Sequence, residues 1–247
     1  MTVSSSGFGR HLCPIRPTPH RVGLIPEQPS FLGGRLGRHV HIDEQSRSYR
    51  VSLVKGARVQ TRTWERPLPP LDQGERGACT GNGAVGLLST EPFRQKGVRY
   101  TEALARQVYS EATKQDSIVG AWPPKDTGST VLAAMKAVQK LGYARNYHWC
   151  FGLQDILKTL STLGPVELGV NWYEGFDQPS NRGIVKLRGS VRGGHAFELL
   201  GVDAEQKLVW GINSWGSNWG LAGRFAFSWE DLDRLLKEDG ETATLVI

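Results

Sequence analysis

Cysteine is scarce in this chain, with only Cys13, Cys79 and Cys150 among 247 residues. Three thiols close at most one disulfide, so the sequence is not the cross-linked framework of a small secreted domain, and a reducing compartment is expected. Long apolar runs are missing too. The longest, residues 83–88 and 131–135, fall far short of the roughly 20 residues a membrane-crossing helix needs, so no transmembrane helix is predicted and no membrane partner is expected. The first ten residues, Met1-Thr2-Val3-Ser4-Ser5-Ser6-Gly7-Phe8-Gly9-Arg10, lack the apolar stretch of about 7–15 residues that a secretory signal requires, which points to a cytoplasmic location. Histidine is sparse as well: beyond Cys79 the chain holds only His148 and His195.

Positive charge is what the sequence has in excess, but only at the front. The net charge is +6 overall, made up of +7 in residues 1–70 and −1 in residues 71–247. Residues 1–70 are rich in Arg, Gly, Pro and Ser and read as a basic arm that wraps the remainder, with a possible strand at 49–53 where apolar and polar residues alternate. Because the remainder is almost neutral, nucleic acid is not the expected partner. From Cys79 onward the composition becomes that of a packed core. Helices are predicted from residue 79 and across 101–113, 130–141 and 153–163, the third with Ser129 as N-cap and Gly142 as stop. After Gly164-Pro165 the pattern turns to strands at 166–170, 196–202, 208–212 and 224–227. Helices followed by strands predict an α+β protein with a helical lobe at about 71–163, a sheet lobe at about 164–247, and a cleft between them.

Three segments carry chemistry. Leu71-Asp72-Gln73-Gly74-Glu75-Arg76-Gly77-Ala78-Cys79-Thr80 delivers a cysteine to a helix start, where free backbone N–H groups and the helix dipole favour a thiolate. A thiolate nucleophile needs an imidazole partner. His195 is favoured for it, in Gly193-Gly194-His195-Ala196-Phe197 at the entrance to an apolar strand, whereas His148 in Tyr147-His148-Trp149-Cys150 has no such setting. Asn213, in Gly211-Ile212-Asn213-Ser214-Trp215-Gly216-Ser217-Asn218-Trp219-Gly220, supplies an amide oxygen suited to orient the imidazole, with Trp215 near enough to exclude water.

Together these segments resemble the Cys, His and Asn blocks of the papain-like cysteine peptidase family over residues 71–228. His195 follows Cys79 by 116 positions and Asn213 by 134, against about 130–150 in that family; a trimmed loop accounts for the shorter first interval. The resemblance implies a papain-like fold with the active site in the interlobe cleft, Cys79 as nucleophile, His195 as acid and base, Asn213 as its orienting group, and Gln73 as an oxyanion donor. It implies a peptide or protein substrate and neither a metal nor an organic cofactor. A Cys-dependent acyl transferase and a non-catalytic papain-fold binding or structural protein are the alternatives.

The sequence departs from the family in specific places. Arg76 stands where a disulfide cysteine is usual, and its customary partner segment, here Lys125-Asp126-Thr127-Gly128-Ser129, has no cysteine either. Thr80 replaces a frequent aromatic residue. Residues 1–70 offer no long amphipathic helix of the inhibitory pro-segment kind. Cys13 and Cys150 read as packed or free thiols, and His39-Val40-His41 lacks a cysteine at zinc spacing.

Overall fold

The structure, a computed structural model, describes residues 35–41, 43–53 and 56–247. Cys13 and the first half of the predicted arm lie outside the described residues. In chain order the elements are β1 (Arg38–His39), α1 (Glu44–Arg47), β2 (Arg62–Thr63), α2 (Cys79–Leu88), α3 (Glu102–Ala112), β3 (Ser129–Thr130), α4 (Val131–Lys140), β4 (Asn146–Trp149), α5 (Leu153–Thr162), β5 (Val166–Tyr173), β6 (Val191–Asp203), β7 (Leu208–Ile212), β8 (Arg224–Ser228), α6 (Trp229–Lys237) and β9 (Glu241–Val246). The class is α+β. An antiparallel sheet in the order β4-β9-β5-β6-β7-β8, extended by β2 on β6, packs against α2. No helix among the described residues is long and apolar enough to cross a membrane.

α2 is the keystone. All ten of its residues are buried, because α3 and α4 cover one side and β5 and β6 the other. Only small side chains fit at such short range. A Cβ on Gly81 would lie 2.6 Å from the Ala105 carbonyl of α3, one on Gly83 would lie 2.8 Å from the Glu167 carboxyl of β5, and one on Gly86 would lie 3.0 Å from the Glu198 carboxyl of β6. The helix thus sacrifices intrinsic propensity for proximity. Around it, Leu104, Ala105, Val108, Tyr109 and Ala112 of α3 and most of α4 are buried at helical spacing. Thr101 caps α3 by accepting from the Leu104 N–H. Thr130, rather than the expected Ser129, caps α4 by accepting from the Ala133 N–H at 3.0 Å. Ser129 is engaged elsewhere, donating to Asp116.

A second core, rich in aromatic residues, fills the sheet lobe: Trp172, Phe176, Phe197, Phe225 and Phe227, with Ile156, Leu157 and Leu160 of α5. The lobes interlock, since β4 lies within the expected helical lobe, between the predicted helices at 130–141 and 153–163, yet forms the edge of the sheet by pairing with β9. Residues 49–53 do not form a strand. They make a single bridge, Arg50 to Trp149, with the Val51 N–H donating to the Trp149 carbonyl at 2.8 Å.

Five arginines of the described part of the arm are engaged within the chain. Arg35 pairs with Asp126 and Arg38 with Glu241, each at 3.0 Å. Arg50 meets Asp155 at 3.0 Å, and the buried Arg66 meets the buried Glu198 at 3.2 Å. The Arg62 guanidinium lies 3.6 Å over the Trp64 ring. These five arginines are occupied by carboxylates and a ring of their own fold.

A Gly81→Ala substitution tests the close packing of α2. Helix propensity alone would stabilise the variant by about 1 kcal/mol, whereas the clash with the α3 backbone predicts a net loss of about 1–3 kcal/mol in chemical denaturation.

Candidate active site

Cys79 is the first residue of α2. The preceding residue, Ala78, provides no side-chain cap, so the first-turn N–H groups receive no side-chain oxygen from that position. The packing of α2 on β6 sets the Cys79 thiol at the backbone N–H of Ala196, next in sequence to His195. Cys79 and His195 therefore sit on two elements that pack on one another, α2 and β6.

His195 sits in β6 opposite Val170 of β5. Its Nε2 is 2.8 Å from Asn213 Oδ1. An amide oxygen only accepts, so the ring must carry a proton on Nε2 and present Nδ1 as its basic nitrogen. Nδ1 has no hydrogen-bond partner among the described residues, so no hydrogen bond joins it to the Cys79 thiol in this state. The ring stacks on Trp215, centroids 4.8 Å apart and planes at 28°, and meets Trp172 edge-on at 4.9 Å. Both His195 and Asn213 are buried, and the tryptophans keep water from their mutual bond. Asn213 is itself fixed by accepting from the Ser214 N–H at 2.8 Å and donating its own N–H to the Gly223 carbonyl at 2.9 Å.

Gln73, also buried, is clamped by Ser214, whose hydroxyl donates to Oε1 at 2.6 Å. Its Nε2 donates to the Arg76 carbonyl at 2.7 Å and to the Arg35 carbonyl at 2.9 Å. The second of these oxygens belongs to the arm. Sequence reasoning gave no sign of this contact, nor of Ser214 as the group that fixes Gln73.

Residues 35–40 run through the cleft as an added strand. The Gly37 N–H donates to the Gly194 carbonyl at 3.0 Å on the sheet side, and the Ser129 N–H donates to the Gly37 carbonyl at 2.9 Å on the helical side. β1 continues the contact by parallel pairing with β3. Leu36 is buried over Gly193, and Gly37 lies so close to Gly77 that a Cβ on it would come within 2.3 Å of the Gly77 carbonyl. Under this strand Cys79 and His195 have no solvent exposure. Burial pushes the Cys79 thiol up to about 12, opposed chiefly by the Ala196 N–H. It pushes His195 down to about 4, opposed by the Asn213 bond. Both groups are held neutral at pH 7 in the filled cleft.

Asp126 tethers the loop before Cys79. Its carboxylate accepts from the Gly77 N–H at 3.1 Å and from the Tyr109 hydroxyl at 2.5 Å, fixing the loop before Cys79 to the segment that holds Ser129. No local sequence signal marks a lone loop aspartate for this task. His148 lies in β4 opposite Thr244 and outside this cluster. Cys150 is buried against the Thr159 hydroxyl at 3.4 Å, and both it and Cys79 are free thiols. No group of metal-ligating side chains occurs among the described residues.

No protein-family model matches the chain. An uncharacterized peptidase C1-like protein of Acanthamoeba polyphaga mimivirus is 24% identical over 208 residues, covering 66% of this chain and 65% of that protein. Cathepsin B-like cysteine proteinase 5 of Caenorhabditis elegans is 28% identical over 168 residues, covering 59% and 49%. The chain thus spans two thirds or less of the length of the curated relatives it matches. Among solved structures, xylellain, a cysteine protease from Xylella fastidiosa, superposes with a TM-score of 0.71 over 90% of this chain and 100% of its own at 16% identity. The fold is thus that of the papain-like cysteine proteases among solved structures, and the sequence is similar to peptidase C1-like and cathepsin B-like proteins.

Proposed function

We propose that the chain hydrolyses peptide bonds through a thioester on Cys79. The observation that carries this reading is the buried His195 Nε2 to Asn213 Oδ1 bond, which leaves Nδ1 as the basic nitrogen of the ring. The Cys79 S–H proton passes to His195 Nδ1, and sulfur attacks the substrate carbonyl carbon. The carbonyl oxygen becomes an oxyanion that accepts from Gln73 Nε2 and the Cys79 N–H. Nδ1–H then protonates the departing amine, leaving an acyl thioester. Water, losing a proton to Nδ1, hydrolyses the thioester to a carboxylic acid and restores the thiol.

The arm fits this reading as a plug. The Arg35 carbonyl already takes a hydrogen from Gln73 Nε2, so a substrate carbonyl needs residues 35–40 to withdraw before it reaches the same donor. Withdrawal also returns Cys79 and His195 to water, which removes the burial that holds both neutral.

Two outcomes follow. With the cleft open, Cys79→Ala and His195→Ala reduce hydrolysis of fluorogenic peptides to background, and Gln73→Ala lowers kcat by about 10²–10³-fold as loss of an oxyanion donor does; full activity in Cys79→Ala refutes the mechanism. In the parent chain, a thiol held near 12 gains thiolate as pH rises, so alkylation of Cys79 is slow at pH 7 and climbs roughly tenfold per pH unit. Leu36→Asp places a charge in a buried apolar seat and accelerates alkylation at pH 7 by roughly 10- to 100-fold, the equivalent of losing one buried leucine. Mass-spectrometric quantification of the adduct reads both effects.

A further inference from the structure

α2 buries a polar side chain in the middle of an otherwise small and largely apolar helix. Asn82 lies one turn after Cys79, and asparagine is a poor helix former because its side chain competes for backbone hydrogen bonds. Its Nδ2 donates to the Ala78 carbonyl at 2.8 Å. A carbonyl oxygen only accepts, so the Asn82 amide is held one way round, and its Oδ1 has no hydrogen-bond partner among the described residues. Two more buried groups are in the same condition. Asn213 Nδ2 has no partner among the described residues, and neither carboxylate oxygen of Glu198 accepts a hydrogen bond there, although Arg66 Nε stands 3.2 Å from Oε2. The nearby Thr90 hydroxyl donates to the Gly86 carbonyl at 3.1 Å instead. Asn82, Glu198 and Asn213 are 4%, 2% and 1% exposed, and all three line one cavity of about 10 Å³ beside Gly83 and Gly86.

We propose that this cavity binds one water, which accepts a hydrogen bond from Asn213 Nδ2 and donates to Asn82 Oδ1 and to Glu198, making Asn82 and Glu198 positioning residues for Asn213. The functional part of the inference rests on the peptidase reading above; the water site does not. A cavity of that size holds a single water, and a buried water ordinarily makes about three hydrogen bonds to groups that would otherwise go unsatisfied. One donor and two acceptors supply them in the ratio a water matches. The sense of the relay bears on the chemistry. The Ala78 carbonyl fixes Asn82, Asn82 Oδ1 takes one proton of the water and the carboxylate beside Arg66 takes the other, so the water meets Asn213 only as an acceptor. The Nδ2 edge of Asn213 must then face the cavity, which leaves Oδ1 for His195 Nε2 and for the Ser214 N–H and keeps Nδ1 as the basic nitrogen of the ring. The first turn of the helix that carries Cys79 is thereby tied to the residue that orients His195.

The water is tested in the full chain without any turnover, by a crystal structure fine enough to show ordered water and by cross-relaxation between water and the Asn213 side-chain amide in NMR. One water within hydrogen-bond distance of Asn213 Nδ2, Asn82 Oδ1 and a Glu198 oxygen is the expected result. A dry cavity, or a water that misses Asn213 Nδ2, overturns the proposal, and this outcome needs no variant to fold. The positioning role is tested with Asn82→Leu, which keeps the side-chain volume and removes the acceptor. In the full chain the His195 Nε2–H resonance is expected to shift and to exchange with solvent several-fold faster; a merely structural role would lower the melting temperature and leave that resonance in place. In the chain opened by Leu36→Asp, Asn82→Leu is expected to lower kcat by roughly 3- to 10-fold, the weight of one hydrogen bond, with KM unchanged. An unmoved resonance and an unchanged kcat refute the positioning role. If the opened parent cuts no peptide, the peptidase reading fails, and the water and the His195 resonance still decide the relay.

Discussion

The approach of α2 to β5 and β6 governs the rest of the molecule. A helix normally packs 8–10 Å from its neighbour through interleaved side chains; here Gly83 and Gly86 bring the helix onto Glu167 and Glu198 with no room for a methyl group. That closeness delivers Cys79 to the N–H of Ala196 and so to His195. It also explains the buried carboxyls beneath the helix. Glu198 is matched by Arg66 from the end of the arm, and Glu167 has no partner among the described residues and is pushed well above the usual carboxylate range, favouring its neutral acid. The catalytic geometry and the polar core are two consequences of one short interhelical and helix-to-sheet distance.

Around that contact the site is built in two rigid halves. The sheet lobe fixes His195 and Asn213 in a nest of tryptophans, while Ser214, adjacent to Asn213, fixes Gln73 from the other lobe. Asp126 anchors the loop leading to Cys79 by direct hydrogen bonds rather than by a disulfide. A carboxylate tether does not depend on redox conditions, which suits a chain with so few thiols.

Much of this was legible in the sequence, and what was missed has physical causes. The Cys79, His195 and Asn213 segments stand out because glycines cluster within ten residues of each, joined around Asn213 by Trp210, Trp215 and Trp219, and α2 shows itself by small apolar composition. β9 does not, since Thr242 and Thr244 are buried alongside Ala243 and Leu245 and no apolar-polar alternation survives when both faces are covered. α6 left a usable signal in the Ser228 cap and the buried Leu232 and Leu235. The cleft strand left none. Leu36, Gly37 and Arg38 look like any glycine-rich basic tract, and their partners lie up to 203 positions away, at Glu241. A segment whose every contact is long-range carries no local periodicity to read.

The central claim is that Cys79 and His195 form an activated pair as soon as the cleft strand leaves. The most direct measurement is the pH dependence of Cys79 alkylation in the opened chain. The account predicts an apparent thiol pKa well below the ordinary value of about 8.5, abolished by His195→Ala, as an imidazolium neighbour and a helix N-terminus require. An apparent pKa at or above that value in the opened chain, unmoved by His195→Ala, would contradict it.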